Sequence, residues 1–455
     1  MKRGFDLINK ITPVRLFYGA LAILIALTVI QLPVQDGKAF FSLLHSDKND
    51  IFMDFFNSIY DAGFEDPYAE RGVIYPPLAY LFYRLCGYLF PQGADAFSMR
   101  NSQTGIVTAC AVTVFSVFIL YKIFLPEKAD NKERRKVLAV LLATVPFWYT
   151  FERGNIILPT LVFLAYFVQN YKSESRIRRE LALISLAIAA ALKIYPAIFG
   201  IILITEKRFK DALRCILYGI ILFFVPFLFF GGFSSLVTML GNITSTGVDM
   251  FSRGTGYKVN IDNTLRFISE ALHVNPVGAD AVKVIFALIT AFIFFFSKKA
   301  WQKYMALCSV MIIFPAFSYT YTLIFIAIPF FAFVFDKPKT NTRNLTFSLL
   351  FLCMLAPFPL DGEKLFDSAP HSVYLLNLTT VISSIAILTM LVAILFDMIY
   401  TAKRPHTQNK TFSLKGGAVS MAYIKFAILV AIIVFLFIAG YLYCDRLYNT
   451  YLCKT

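Results

Sequence analysis

Arg153 and Lys193 are basic residues embedded in apolar sequence. A charge at the centre of a bilayer costs about 2.5–3.5 kcal/mol on insertion scales, so a chain that retains one there usually uses it on a substrate, an ion or a fixed partner. The guanidinium of Arg153 is a planar fork suited to phosphate oxygens, and the ammonium of Lys193 attracts any anion. The two residues predict a binding site for an anionic ligand.

Both positions also have structural interpretations. Arg153 would instead snorkel to lipid headgroups or pair with the adjacent Glu152. Lys193 would instead join a buried ion pair with an acid that the sequence does not identify. Lys193 is the harder of the two to explain as structure, because its neighbours are apolar for a full turn or more on both sides.

An acidic segment upstream, residues 51–64, supplies candidate carboxylates. Its apolar residues recur at helical spacing and predict an amphipathic helix that lies flat on the outer leaflet. Asp54 and Asp61 are seven residues apart and therefore share one face of that helix. Their carboxylates would act as a general base or bind a cation, or would form a solvated acidic face. The Tyr-Pro-Pro turn at 75–77 would return the chain to the membrane, with substrate contact by Tyr75 as the alternative.

The composition places these residues in a membrane protein. The chain has 455 residues, 58% of them hydrophobic, including 49 Phe and 24 Tyr, and its mean hydropathy is +0.67. A soluble domain could not cover that much apolar surface. The sequence therefore predicts an all-α polytopic integral membrane protein.

The net charge of +15 would suggest nucleic acid in a soluble protein, but its placement argues against that partner. The basic residues cluster in short loops between apolar runs, which is typical of cytoplasmic loops under the positive-inside rule. On this topology the acidic loop 34–73 faces outward. The basic loops are 128–136, 172–179, 207–210, 298–303, 337–343 and 403–410.

Several apolar runs approach the roughly 20 residues needed to cross a bilayer. The candidate spans are 14–33, 103–124, 136–151, 155–170, 212–231, 281–297, 301–317, 320–335, 344–358, 372–398 and 421–443.

Two further apolar segments do not fit as complete spans. The basic loop after residues 103–124 must return to the cytoplasmic side, so residues 76–91 and 103–124 cannot both cross the membrane. Residues 76–91 are therefore interpreted as an interfacial or half-inserted helix. Residues 180–204 have basic loops on both sides but are too short for two spans, which predicts two half-helices broken at 193–196, where a proline disfavours helical geometry in the residue before it. This topology places Asp54, Arg153 and Lys193 on one side of the membrane.

Motifs for nucleotide-driven or zinc chemistry are absent. The sequence has no P-loop, GxGxxG after a strand, HExxH or Gly-x-Ser-x-Gly, and its four histidines have no ligand spacing. The seven cysteines form no Cys-x-x-Cys pair; Cys444 and Cys453 would pair only in an oxidising compartment. No metal site or cofactor is predicted, although a transient divalent cation at Asp54 is compatible with the sequence.

The order of these motifs resembles the GT-C membrane glycosyltransferases. An outward acidic loop with Asp54 precedes Tyr-Pro-Pro-Leu at 75–78, Arg-Gly-Asn at 153–155 and Lys-x-Tyr-Pro at 193–196. Within that superfamily the pattern is similar to glycosyltransferase family 87, the polyprenyl-phosphate-mannose-dependent mannosyltransferases and their bacterial relatives.

The resemblance implies a GT-C-like bundle of about 11–13 transmembrane helices, each near the length that a bilayer requires. Its catalytic module would occupy residues 1–340, with outer-face loops at 34–102 and 232–280. Residues 341–455 would add further C-terminal transmembrane helices. A loop as long as 232–280 without obvious structure is usually functional and would close over a substrate.

The resemblance also implies an inverting hexosyltransferase in the cytoplasmic (inner) membrane. It would move a monosaccharide, such as a mannose-like hexose, from a polyprenyl-phosphate donor to a lipid or glycan acceptor at the periplasmic or extracellular side. Asp54 would be the general base, with Asp47, Asp50 and Asp61 as nearby alternatives. The donor phosphate would be held by Arg153, Lys193, Arg253 and Lys258, and other substrate contacts would come from Tyr75, Asn155, Tyr195 and Asp61.

Two other functions fit parts of the pattern. A transporter or flippase of lipid-linked sugars would also need cations at membrane depth and broken helices, but such proteins often have paired halves, and no second half is visible. A glycan polymerase or ligase acting on a polyprenyl-diphosphate oligosaccharide would depend on outer-face arginines rather than on Asp54.

Overall fold

The structure, a computed structural model, describes residues 13–31, 51–123, 131–252, 258–265, 279–315, 318–336, 342–356 and 378–402. Regular structure in these residues is helical, which confirms the all-α prediction. The predicted span 421–443 and the proposed Cys444–Cys453 pair lie outside the described residues.

The helices are numbered here in chain order. They are α1 Pro13–Gln31, α2 Met53–Ala62, α3 Pro67–Arg71, α4 Pro77–Gly87, α5 Ala96–Asn101, α6 Gln103–Ile123, α7 Asn131–Leu142, α8 Val145–Arg153, α9 Ile157–Asn170, α10 Arg176–Leu192, α11 Ile201–Thr205, α12 Phe209–Phe224, α13 Phe233–Ser252, α14 Ala279–Phe296, α15 Ala300–Ile313, α16 Ala327–Phe335, α17 Thr342–Leu355 and α18 Leu378–Ala402. Three 3-10 helices span Tyr195–Gly200, Val225–Phe229 and Thr320–Ile326.

Three helical segments in the described part of the chain are long and apolar enough to cross a membrane: Gln103–Ile123, Phe209–Phe229 and Thr380–Thr401. Shorter apolar helices accompany them at Phe17–Leu27, Ile157–Asn170, Tyr195–Thr205, Thr320–Phe335 and Asn344–Leu355. The chain is therefore an all-α membrane protein, and the total of about 11–13 spans, each near 20 residues, stays a prediction.

The chain folds as two compact units. One unit, called the site unit below, contains residues 44–253 and 316–327; the second unit contains residues 1–43, 254–315 and 328–455. The proposed division of the sequence at residue 340 does not coincide with these units and stays a prediction about catalytic organisation.

In the site unit, the amphipathic segment predicted around Asp54 is helical but is not laid against lipid. Helix α2 packs on α4 and α5, and its apolar residues Phe55, Phe56 and Ile59 are at most 3% exposed. Edge-to-face aromatic contacts cover this face, including Phe55 with Tyr83. The prediction of a helix flat on the outer leaflet is thus corrected, because other rings of the protein bury the apolar stripe.

The predicted break in residues 180–204 is present. Helix α10 ends at Leu192, and Lys193 is extended, with φ −145° and ψ 125°. Pro196 then lies in the first turn of a 3-10 helix that continues into α11. The predicted span 136–151 is also interrupted, since α7 ends at Leu142 and α8 begins at Val145, after the N-cap residue Thr144.

Helix α4 is too short to cross a bilayer. Its 11 residues extend about 16 Å at 1.5 Å per residue, against a hydrocarbon core of about 30 Å. This agrees with the interfacial or half-inserted helix predicted for residues 76–91.

The predicted loop 232–280 contains substantial helix. Helix α13 has 20 residues and packs on α3; residues 261–265 are helical as well. The apolar residues Leu236, Met239 and Ile243 recur at helical spacing and face the core, whereas Phe233 is 78% exposed. Polar residues interrupt the apolar stripe of this segment, so its sequence predicted a loop.

The second unit is a helical bundle of its own. Helix α1 packs on α17, and α14 packs on α15 and α18. Trp301 lies at its core against the rings of Phe347 and Phe333. Asp397 of α18 is 1% exposed and accepts a hydrogen bond of 3.0 Å from Gln302.

Candidate active site

Asp54 and Arg153 form the central ion pair of the site unit. Asp54 lies in the first turn of α2, and Arg153 is the last residue of α8. The Nε and Nη2 atoms of Arg153 donate to Asp54 Oδ1 at 3.1 and 2.6 Å. Only 8% of the Arg153 side chain and 19% of the Asp54 side chain are exposed. Arg153 therefore contacts the candidate base itself.

Asn155 holds the other oxygen of the carboxylate. Its amide oxygen accepts from the backbone N–H of Ile157 at 3.1 Å, which fixes the orientation of the amide group. The amide nitrogen then donates to Asp54 Oδ2 at 2.7 Å and to the Tyr75 hydroxyl at 3.3 Å. Because each carboxylate oxygen has about two acceptor positions, Oδ2 retains one for a further donor.

The backbone before Asp54 is locked against the end of α8. Phe52 adopts a left-handed conformation, with φ 60°, and its N–H donates to the Glu152 carbonyl at 2.6 Å. Such a conformation costs about 1–3 kcal/mol and persists where the surroundings enforce it. Gly154, with φ +61°, faces this turn so closely that an added Cβ would lie 2.8 Å from Phe55 Cβ. The glycine is thus required for the two turns to meet.

Lys193 lies beside the same group of residues. It is 6% exposed, and its Nζ is 3.6 Å from the ring centroid of Tyr75 and 5.8 Å from that of Tyr321. A cation over an aromatic face is stabilised by the ring quadrupole. Among the residues that the structure describes, no carboxylate pairs with this ammonium.

Two tyrosine hydroxyls have capacity for another partner. The Tyr75 oxygen accepts from Asn155, so its own proton remains to be donated. Burial, followed by the charge of Asp54, raises the pKa of Tyr75 above its usual range, and the hydroxyl stays protonated at neutral pH. The hydroxyl of Tyr195 is buried and has no hydrogen-bond partner in the described part of the chain.

Three other residues named from the sequence are not among these contacts. Asp61 is on α2 but pairs with Arg71, whose Nε is 2.9 Å from Asp61 Oδ1. Lys258 is 3% exposed and belongs to the second unit. Arg253 lies outside the described residues.

Two further residues contribute to the site but lie outside the sequence motifs described above. The ring of Tyr321 is the second one near Lys193. Tyr68 was not considered, although its hydroxyl donates to the Tyr75 carbonyl at 2.9 Å. Tyr321 contacts Lys193 from a distant part of the chain, whereas Tyr68 bonds a residue seven positions away but has no recognisable motif of its own.

The arrangement combines a carboxylate that has one open acceptor position, two hydroxyl donors and a buried ammonium that forms no ion pair within the described part of the chain. Such a set can accept a proton from one reacting group and stabilise negative charge on another. That is the pattern required for attack by a hydroxyl on a carbon that carries an anionic leaving group.

The sequence model of glycosyltransferase family 87 matches residues 74–320, more than half of the chain. The matched region includes Tyr75, Arg153, Asn155 and Lys193 and begins after Asp54. Searches against curated proteins and solved structures returned no match. On this family match and the helical membrane fold, the chain belongs to glycosyltransferase family 87.

Proposed function

We propose that this glycosyltransferase is an inverting enzyme that uses a polyprenyl-phosphate monosaccharide as its donor. The sugar, a mannose-like hexose, would pass to a lipid or glycan acceptor at the non-cytoplasmic face of the cytoplasmic membrane. Two neighbours of Tyr75 carry the proposal. Asp54 has an open position on Oδ2 and shares the Asn155 amide with the Tyr75 hydroxyl, and Lys193 lies over the Tyr75 ring and forms no ion pair among the described residues. No cofactor is proposed.

In the proposed reaction, Asp54 Oδ2 accepts the proton of an acceptor hydroxyl. The hydroxyl oxygen attacks the anomeric carbon from the face opposite the phosphate, and the bond between that carbon and the phosphate oxygen breaks. The electron pair of this bond leaves with the phosphate. A single displacement inverts the anomeric centre, and a positioned base typically contributes about 10²–10⁴-fold to such a step.

The leaving phosphate gains charge during the reaction. A polyprenyl-phosphate sugar is a phosphodiester with one negative charge, whereas the released polyprenyl phosphate is a monoester that can carry two. Lys193 would balance the first charge, and the hydroxyls of Tyr75 and Tyr195 would donate to the charge that develops. Fixed donors of this kind often provide the largest catalytic contribution.

The geometry changes the role proposed for Arg153. The family resemblance implied that Arg153 holds the donor phosphate, but its Nε and Nη2 atoms both donate to Asp54 Oδ1. We now assign it to orienting the base. Arg253 and Lys258 remain predicted phosphate contacts, and Asp61 a predicted substrate contact on the same face of α2.

The proposal is tested with purified protein in lipid nanodiscs, supplied with a panel of polyprenyl-phosphate monosaccharides, polyprenyl-diphosphate oligosaccharides and membrane-extracted acceptors. We expect product only from the monophosphate donors, and loss of that product in Lys193→Ala. Product only from diphosphate donors would establish a polymerase or ligase instead. Saturable binding that needs Lys193 without turnover of any donor, together with translocation in sealed vesicles, would establish a transporter.

A further inference from the structure

Helix α13 holds the segment that leads to Tyr75. The side-chain nitrogen of Asn242 donates to the carbonyl oxygens of Tyr68 at 2.9 Å and Val73 at 3.1 Å. These carbonyls flank Gly72, where the chain turns with φ +65°. The side-chain amide of Asn242 therefore joins the two ends of loop 68–73, which ends two residues before Tyr75.

A second contact from the same helix holds the start of this segment. The Ser235 hydroxyl donates to Asp66 Oδ2 at 2.7 Å, while Asp66 Oδ1 accepts from the backbone N–H of Tyr68 at 3.0 Å. Gly231 makes the approach possible, because a Cβ at that position would lie 2.4 Å from Asp66 Oδ2. Ser235 and Asn242 are seven residues apart and so lie on one face of α13.

Tyr68 connects this loop to the site in two ways. Its hydroxyl donates to the Tyr75 carbonyl at 2.9 Å. Its ring contacts Tyr80, whose ring in turn stacks on Tyr75 with centroids 6.0 Å apart. The residue whose carbonyl Asn242 holds therefore locates both the backbone and the ring of Tyr75.

We propose that Asn242 is a positioning residue for the phosphate site, acting through Tyr68 on Tyr75. The proposal rests on the proposed function, in which Lys193, supported by the ring of Tyr75, binds the donor phosphate. Without the amide donor, the loop relaxes, and the Tyr75 ring moves away from Lys193. The ammonium then loses its aromatic support and its alignment with the Tyr75 hydroxyl, so phosphate affinity falls although the charge of the site is unchanged.

The test measures binding of two probes, decaprenyl monophosphate and decaprenol, to the full-length protein in nanodiscs. The ratio of the two affinities isolates the contribution of the phosphate. Asn242→Asp keeps the shape of the side chain but presents an acceptor to two carbonyls. Thr238→Ala is the matched control, because Thr238 lies on the same helix and its hydroxyl donates to the Ser234 carbonyl of that helix.

We expect Asn242→Asp to lower the phosphate contribution at least tenfold, as Lys193→Met does, while decaprenol binding and the Thr238→Ala variant stay at wild-type values. If the ratio of the two affinities keeps its wild-type value in Asn242→Asp but falls in Lys193→Met, the positioning role alone is overturned. A wild-type ratio in Lys193→Met would instead overturn the phosphate site of the proposed function. Equal losses of both probes in Asn242→Asp would show only general destabilisation and also overturn the positioning role.

If Asn242→Asp does not fold, Ser235→Ala tests the same loop from its other end. It removes one neutral hydrogen bond, and we expect a smaller loss in the same ratio, about threefold. An unchanged ratio in Ser235→Ala would then count against the role proposed for α13.

Discussion

The ammonium of Lys193 lies 3.6 Å from the ring centroid of Tyr75, and no carboxylate among the described residues pairs with it. Arg153, by contrast, donates twice to Asp54. From the sequence, both cations were assigned to the donor phosphate, but the structure gives them different partners. A buried pair satisfies itself, whereas an unpaired buried charge is costly and is retained where it serves a ligand.

Replacing Lys193 with methionine should weaken substrate binding without destabilising the protein. The variant removes a buried charge that forms no ion pair with the described residues, so its desolvation cost on folding disappears. We expect an unchanged or higher Tm and at least tenfold weaker binding of decaprenyl monophosphate. A clear fall in Tm would show that Lys193 has a structural partner and would contradict the binding role.

Replacing Arg153 with lysine should reduce turnover more than it reduces donor binding. Lysine retains the charge but cannot present two N–H groups in a fixed plane to one oxygen. A lost hydrogen bond to a charged group costs about 1.5–3 kcal/mol, and this corresponds to roughly a 10–100-fold loss in kcat. A variant with normal kcat but a much higher donor KM would instead support the original assignment of Arg153 to the phosphate.

Replacing Gly154 with alanine should destabilise the protein and misplace Asp54. The left-handed backbone costs an alanine about 1–3 kcal/mol, and the new Cβ would approach Phe55 Cβ to 2.8 Å. Gly93→Ala is the control, since Gly93 has φ +80° but no heavy atom within 4 Å of the added Cβ. Thermal unfolding and turnover should both fall further in Gly154→Ala than in Gly93→Ala; equal effects would show that the contact with α2 is unimportant.

Replacing Tyr75 with phenylalanine should separate the two roles of this residue. The ring that supports Lys193 remains, while the hydroxyl that accepts from Asn155 and has its own proton to donate is lost. We expect donor affinity within about threefold of wild type and a fall in kcat of roughly tenfold, the effect of one hydrogen bond worth about 1.4 kcal/mol. Wild-type kcat would remove the hydroxyl from the mechanism.

The sequence was sufficient to predict the broken segment at Lys193 and its grouping with Asp54 and Arg153. Proline at 196 and basic loops on both sides required a break, and the topology placed all three residues on one side of the membrane. The first argument is local and the second counts membrane crossings between loops, and a single sequence can support both.

The contacts within the site were beyond such arguments. The pairing of Arg153 with Asp54 joins residues 99 positions apart, and the choice of Asp54 rather than Glu152 as partner depends on the orientation of α8. The apolar face of α2 was assigned to lipid because a hydrophobic stripe alone does not show whether protein or lipid covers it. Helix α13 was predicted as a loop because polar residues interrupt its apolar stripe; two of them, Ser235 and Asn242, bond the segment that leads to Tyr75.

The central claim is that Asp54 removes the proton from the acceptor hydroxyl. It is tested most directly by single-turnover transfer from a radiolabelled polyprenyl-phosphate mannose, measured together with donor binding, in wild type, Asp54→Asn and Asp61→Asn. The account predicts a loss of at least 10²-fold in the transfer rate for Asp54→Asn, with donor binding retained and Asp61→Asn much closer to wild type. Transfer by Asp54→Asn at the wild-type rate would contradict it.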